Sequence, residues 1–257
     1  MSTLPAAGVL LVDKPEGWSS HDVVAFLRPI LGTKRVGHAG TLDPLASGLL
    51  VVLYGHATKL AHQLHRARKT YLADIALGSE TATDDREGAV TARAAVPALS
   101  DATVRETLAG FVGAQQQVPP PYSALHVAGE RAYARARRGE SMTLAPRAIE
   151  VFALELLARD ATRLQVRVEC SAGTYVRALA RDIGRRLDTR AHLGGLRRLI
   201  VGPFSIDDAL SPTQAQALGA EGLAGRVLAE DAAWRLLAGE REGGTPADVP
   251  ASSGKGK

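Results

Sequence analysis

The residues with the clearest chemical potential lie in one stretch, Gly37-His38-Ala39-Gly40-Thr41-Leu42-Asp43-Pro44-Leu45-Ala46-Ser47-Gly48-Leu49-Leu50. A carboxylate stands in the middle, among glycines that permit unusual backbone angles and close approach of a ligand. Pro44 fixes the direction of the chain immediately after Asp43. A carboxylate held this way suits nucleophilic attack or proton transfer. By itself, an Asp-Pro pair in a Gly-rich loop favours a structural turn instead. Hydrolysis by paired carboxylates would need a second acid, and Asp13, Asp84 and Asp85 read as turn and loop residues. There is no Walker phosphate loop, no dinucleotide Gly-x-Gly-x-x-Gly and no Gly-x-Ser-x-Gly elbow. The single cysteine, Cys170, gives no thiolate zinc site, and His56, His62 and His65 fall in no zincin motif. Neither a metal nor a cofactor is expected.

Around this stretch the chain reads as mixed strands and helices. Gly8 to Val12 is a short apolar run, read as a buried strand. Ser19, with Asp22 three residues on, caps a helix from His21 to about Leu31. Thr33 to Gly48 reads as a Gly-rich loop, and Leu49 to Leu53 as a strand. Tyr71 to Leu77 is a strand, Glu80 to Gly88 a polar turn region, and Asp101 to Phe111 a helix capped by Ser100. Pro119-Pro120-Pro121 blocks helix and central strand alike. The piece from about 115 to 147, with a basic helical stretch from Glu130 to Arg138, reads as an excursion from the core. Leu164, Val166, Val168 and Cys170 alternate with polar residues, which predicts a strand with one buried face and a core thiol. A helix follows from about Thr174 to Leu187, with Val176, Leu179, Ala180, Ile183 and Leu187 on one face and Arg177, Arg181 and Arg185 on another. Ser211-Pro212-Thr213-Gln214 starts a further helix, and Leu223 to Leu237 also reads as helical. The lack of strict strand–helix alternation favours α+β over a doubly wound sheet.

Composition narrows the partners. The chain has 257 residues, 46% of them apolar, enough for a sizeable core without metal or disulfide. One cysteine, no leader-like N-terminus and no long apolar run predict a cytoplasmic protein with no membrane segment. Net charge is only +4, but seven arginines fall between Arg177 and Arg198 against Asp182 and Asp188, and basic residues also cluster at 59–69 and 131–138. Such clusters in a nearly balanced chain suggest a polyanion, although Arg-rich helix faces are also often merely solvated.

Six further segments accompany the Asp43 stretch in order: Val12-Asp13-Lys14-Pro15 with Gly17-Trp18-Ser19-Ser20; Lys69-Thr70-Tyr71; Leu77-Gly78 through Thr81, Thr83, Asp84, Asp85 and Gly88; Pro119-Pro120-Pro121-Tyr122-Ser123-Ala124 with Gly129-Glu130-Arg131-Ala132-Tyr133; Gly173-Thr174-Tyr175-Val176-Arg177; and Leu196-Arg197-Arg198. Together they resemble the bacterial tRNA pseudouridine-55 synthases, the TruB family, from about residue 8 to 205 and weakly to about 235. The resemblance implies the α+β pseudouridine-synthase fold, with a mixed, largely antiparallel sheet. It implies isomerisation of uridine 55 in the T-loop of tRNA after base flipping, with no cofactor.

It further implies Asp43 as the essential nucleophile and Arg177 as the cation that pairs with it. Tyr71 would stack on the flipped uracil and take part in proton transfer. Tyr175 and Leu196 would line the pocket. His38 would contact bases of the RNA loop, and Lys14, Arg131 and Arg181 would contact RNA, the arginines gripping phosphates. Ala39 and Ser47 are small departures, replacing common threonines; His126 stands where a lysine is usual, which weakens one phosphate contact or makes it pH-dependent, and the larger departure is at the C-terminus. The expected organisation is a catalytic domain over 1–205 with its RNA-binding insertion at about 115–147, a helical extension over 206–238, and a disordered tail over 239–257 in place of the family's frequent PUA-type domain. The T-stem loop of tRNA is the expected partner, with no protein partner and a monomeric state. The competing reading is a non-catalytic tRNA-folding chaperone.

Overall fold

A computed structural model of the chain describes residues 4–122, 126–127, 130–131, 138 and 144–239. The tail expected over 239–257 lies outside the described residues apart from Gly239, as does most of the basic stretch 130–138.

The centre is a ten-stranded sheet. Its main path runs β14 (Leu228–Ala229), β1 (Gly8–Lys14), β3 (Ala46–Tyr54), β12 (Ala191–Val201), β4 (Lys69–Leu77), β11 (Arg163–Cys170), β10 (Arg147–Arg159) and β7 (Gly113–Gln117). Two short strands join its side: β2 (Val36–Ala39) pairs with β3, and β13 (Phe204–Ser205) with β12. Every ladder in the sheet is antiparallel except β12 with β3, where Leu196, Arg197 and Arg198 lie opposite Ala46, Ser47 and Gly48. Two small hairpins stand apart, β5 (Ser79–Thr81) with β6 (Val90–Arg93) and β8 (His126–Val127) with β9 (Glu130–Arg131).

The two halves of the sheet are buried differently, and their sequences show it. β1 and β3 are covered on both faces. Leu10, Val12, Leu50 and Val52 pack under α1 (Ser20–Leu31) and α5 (Pro212–Leu223); Val9, Leu49, Val51 and Leu53 pack under α2 (Ala61–Arg66) and α6 (Glu230–Leu237). Burial on both faces makes each strand a continuous apolar run. β4 and β11 are covered on one face only, so Tyr71, Ala73, Ile75 and Leu77 with Leu164, Val166, Val168 and Cys170 form the core beneath α3 (Asp101–Ala109) and α4 (Val176–Arg186), while the intervening residues are wetter. Each Leu, Ile or Val so buried contributes about 1.5–3 kcal/mol.

Local signals hold where they are short-range. Ser19 and Asp22 form a capping box on α1, and Ser211 and Gln214 another on α5. Four expectations need correction. The segment 33–48 is not all loop: β2 forms within it, satisfied by β3. Residues 113–117 belong to the main sheet, so the departure from the core starts after Gln117. The turn region 80–88 opens with β5. The helix expected over 223–237 is broken by β14, which pairs with β1. Leu210, Ala215, Leu223 and Ala233 enter the cores, so residues 206–238 pack as part of the same body.

Candidate active site

Asp43 sits on a loop fixed from four sides. Ser20 Oγ, at the start of α1, donates to the Leu42 carbonyl (3.1 Å) and accepts from the Leu42 amide (2.8 Å). The Gly17 amide donates to the Pro44 carbonyl (2.8 Å), and the Ala46 amide closes a turn onto the Asp43 carbonyl (3.0 Å). Leu42 and Leu45 are buried in the core. From the far side, Arg198 Nη2 donates to the Gly40 carbonyl (2.9 Å). The carboxylate itself stays 43% exposed and so remains reachable.

Arg177 meets it, with Nε 3.1 Å from Asp43 Oδ2. The guanidinium is itself buried and fixed: Nη1 donates to the Thr83 carbonyl (3.0 Å) and Asp85 Oδ2 (3.3 Å), and Nη2 to the Tyr122 carbonyl (3.0 Å). The pair opens onto a cleft of about 510 Å³ that also takes Tyr71, Tyr175, Leu196, Lys69, His65 and Arg198 into its wall. Gln117 brackets Tyr175, accepting from its amide (2.9 Å) and donating to its carbonyl (3.1 Å). Thus Asp43, Arg177, Tyr71, Tyr175 and Leu196 come together from the loop, α4, β4, the turn before α4 and β12. A groove of about 1020 Å³ between Arg68, Arg167 and Trp234 is roomier. It is lined by Thr70 rather than Tyr71, hence by the other face of β4, and includes neither Asp43 nor Arg177.

Two expected RNA contacts need correction. Lys14 is fully buried, and its Nζ donates to the carbonyls of Pro15 (3.0 Å) and Trp18 (2.6 Å). It holds the turn from which Gly17 grips the Asp43 loop. Arg181 is also buried, bonded to Asp84 Oδ2 (2.7 Å), Asp182 Oδ1 (2.9 Å) and the Val118 carbonyl (3.0 Å). Its donors are consumed internally, leaving it unavailable to a phosphate. Arg185 and Arg190 likewise engage Glu80. The arginine face of α4 therefore docks onto the acidic segment 80–85, and Asp84 and Asp85 are buried ion-pair partners rather than loop acids. Arg131 lies in β9, and its side chain is outside the described structure.

The electrostatics are lopsided. His38 is half-buried in β2, with an Nδ1 that has no hydrogen-bond partner among the described residues. Burial lowers its pKa, helped by Arg198, His65 and His21. His65 is lowered by burial, Lys69, His62 and Arg198. Lys69 is lowered to about 8 by burial, and its Nζ donates to the carbonyls of His65 (2.6 Å), Ala67 (2.7 Å) and Leu64 (3.1 Å). Burial pushes the Asp84 carboxyl up, against the pull of Arg181 and Arg177; the 2.7 Å contact with a permanently charged guanidinium keeps that pair ionic at neutral pH. Among the described residues no group of three or more His, Cys, Asp or Glu side chains is placed to hold a metal ion, and no helix is long and apolar enough to cross a membrane. Ser20, Asp85, Gln117 and Arg198 were not singled out by sequence reasoning as site residues. Ser20, Asp85 and Arg198 stood within quoted motifs, whereas Gln117 fell in the segment read as an excursion from the core.

Comparison with known proteins agrees with this geometry. Residues 28–176 match the family model described as TruB family pseudouridylate synthase (N terminal domain). Proteins named tRNA pseudouridine synthase B are similar: that of Arthrobacter sp. (strain FB24) is 43% identical over 96% of this chain and 89% of its own, and that of Nocardia farcinica (strain IFM 10152) is 52% identical over 80% and 68%. Among solved structures, the archaeal box H/ACA sRNP Nop10-Cbf5 complex holds a chain with TM-score 0.66 and 26% identity, matched over 89% of this chain and 61% of that one. A Cbf5-Nop10-Gar1 complex holds one with TM-score 0.62 and 31% identity, over 79% and 52%. The chain thus spans between about half and three fifths of those solved chains.

Proposed function

The chain belongs to the TruB family of pseudouridylate synthases, and from that premise we propose that it isomerises uridine 55 in the T-loop of tRNA to pseudouridine, with Asp43 as nucleophile. The observation that carries this reading is the Asp43–Arg177 pair at 3.1 Å on the wall of a cleft shared with Tyr71 and Leu196. The target uridine leaves its stack at a cost of a few kcal/mol and enters this cleft. Tyr71 and Leu196 hold its ring, Tyr175 lines the approach, and His38 meets the bases of the RNA loop. Arg177, anchored by Thr83, Asp85 and Tyr122, holds the carboxylate in place. Because the reaction is an isomerisation, no cofactor takes part.

Phosphate contacts shift away from Arg177, Arg181 and Arg185 of α4, which are engaged internally. The segment that brings His65 and Lys69 to the cleft exposes Lys59 and Arg66, with Lys34 and Arg35 exposed just before β2. These side chains, with Arg131 of the 115–147 insertion, take the T-arm backbone. We assign the protein to the cytoplasm, acting as a monomer without a protein partner.

The test is tritium release from a T-arm transcript labelled at uridine C5, comparing the natural protein with Asp43→Asn, followed by mapping of the modified nucleotide. Release by the natural protein alone, with pseudouridine at position 55, is expected. Tight tRNA binding with no release by either protein would sink the enzyme reading in favour of a folding chaperone.

A further inference from the structure

Arg198 is a large side chain sealed in the protein interior, 1% exposed, with no carboxylate in ion-pair contact among the described residues. Its Nε donates to the Leu49 carbonyl (2.7 Å) and its Nη2 to the Gly40 carbonyl (2.9 Å). The two acceptors lie on either side of Asp43, so one guanidinium ties both ends of the loop. In the sheet, Arg198 stands opposite Gly48 on β3 and opposite Tyr71 on β4. The space at Gly40 is kept for it: a Cβ there would lie 3.3 Å from Nη1. Cross-strand register sets its side chain beside Tyr71 on the same face of the sheet, and both side chains line the cleft.

Two carbonyls could be satisfied by neutral donors. A buried cation without a counter-charge is costly to keep, which points to a partner that becomes negative during the reaction. The isomerisation supplies one. The N1–C1′ bond breaks and a C5–C1′ bond forms; then C5 must lose a proton and N1 must gain one. Tyr71 is the titratable cross-strand neighbour of Arg198; burial holds its hydroxyl protonated, with Arg198 opposing that effect.

We propose that Arg198 is a positioning residue that serves as counter-charge to Tyr71 while Tyr71 moves the proton from C5 to N1. The Tyr71 hydroxyl gives its proton to N1 of the rejoined ring, leaving a phenolate beside the guanidinium. The phenolate takes the C5 proton, the C5–H electron pair forms the C5=C6 bond, and the C6=N1 pair returns to nitrogen. Tyr71 ends protonated, with no net proton taken up. The same side chain holds the loop of Asp43 in register with Tyr71, so the two steps share one anchor. This rests on the pseudouridine reading above.

The experiment compares Arg198→Gln and Arg198→Lys in single-turnover tritium release from C5-labelled T-arm RNA between pH 6.5 and 9.5, alongside RNA Kd and Tm. Arg198→Gln is expected to slow release at least 100-fold at pH 7.5 with Kd within threefold, and to recover as pH rises and solvent removes the phenolic proton. Arg198→Lys, which keeps the charge, is expected to release at least tenfold faster than Arg198→Gln at pH 7.5. Equal loss in both variants with a pH profile parallel to the natural protein would overturn the proposal and leave a purely structural arginine. Should Arg198→Gln not fold, 3-fluorotyrosine placed at position 71 of the otherwise natural chain replaces it. Its more acidic phenol should shift the single-turnover pH profile to lower pH; an unchanged profile refutes proton transfer through Tyr71. No release by the natural protein at any pH would instead remove the pseudouridine reading itself.

Discussion

Removing Asp84 should destabilise the fold more than removing any exposed acid, by an amount the geometry sets. Asp84 is 5% exposed and Arg181 7% exposed, joined at 2.7 Å between Oδ2 and Nη1. Breaking a buried pair by deleting one partner costs about 3–5 kcal/mol, because the other charge is left uncompensated. Here Arg181 retains Asp182 and the Val118 carbonyl, which places Asp84→Ala at the low end, about 3 kcal/mol. For a chain of this size that corresponds to a fall in Tm of roughly 6–12 °C. Asp84→Asn should cost less, because the amide keeps an acceptor and Asn tolerates the left-handed backbone found at this position, φ 59°. Urea unfolding of Asp84→Ala, Arg181→Met and the double variant isolates the pair: the double variant should be more stable than the sum of the single losses predicts. A loss below about 0.5 kcal/mol in Asp84→Ala, the range of an ordinary surface change, would refute the view that segment 80–85 clamps α4.

Three further outcomes are expected. Gly48→Ala should cost about 3 kcal/mol or more in urea unfolding, since φ is +101° and a Cβ would sit 2.3 Å from the Arg198 carbonyl oxygen; near-natural stability would mean that the β3–β12 contact is not tight. His38 and His65 have folded pKa values below their ordinary 6.5, burial being the first cause in each. Their contribution is therefore complete above pH 6.5 and is lost as pH falls through the lower folded values, so the urea midpoint should drop on acidification below 6.5 and drop less in His65→Gln; an identical decline in both proteins rejects this for His65. Burial pushes the Cys170 thiol up to about 11, so an aromatic disulfide reagent at pH 8 should label it only on unfolding, and rapid labelling of the folded protein would contradict the burial.

Short-range features were legible from the residues alone. The Ser19 and Ser211 caps, the alternation of β11 and the apolar stripe of α4 each follow from residues within one or two turns of one another. Most of what escaped had distant causes, Lys14 being the exception. β12 carries Gly194, Gly195, Arg197 and Arg198, a poor strand by composition, yet it is the seam of the sheet because β3 and β4 flank it. Arg181 looked like a phosphate ligand because its partner, Asp84, is 97 residues away. Lys14 looked like a surface cation although its acceptors are the carbonyls of its own following turn. Family motifs brought Asp43, Tyr71 and Arg177 into view together, but did not say that Arg177 is shared between Asp43 and Asp85.

The lone parallel ladder of the sheet has a consequence for how the protein is made. Asp43 lies on a loop whose far wall, Leu196 to Arg198, is translated about 150 residues later. At about 5–20 residues per second, the ribosome takes roughly 8–30 seconds to cover that interval. During that time the nascent N-terminal strands lack the β12 edge against which the loop closes. The cleft cannot be complete until β12 has emerged, so a half-made chain carries the Asp43 carboxylate without the wall that frames it.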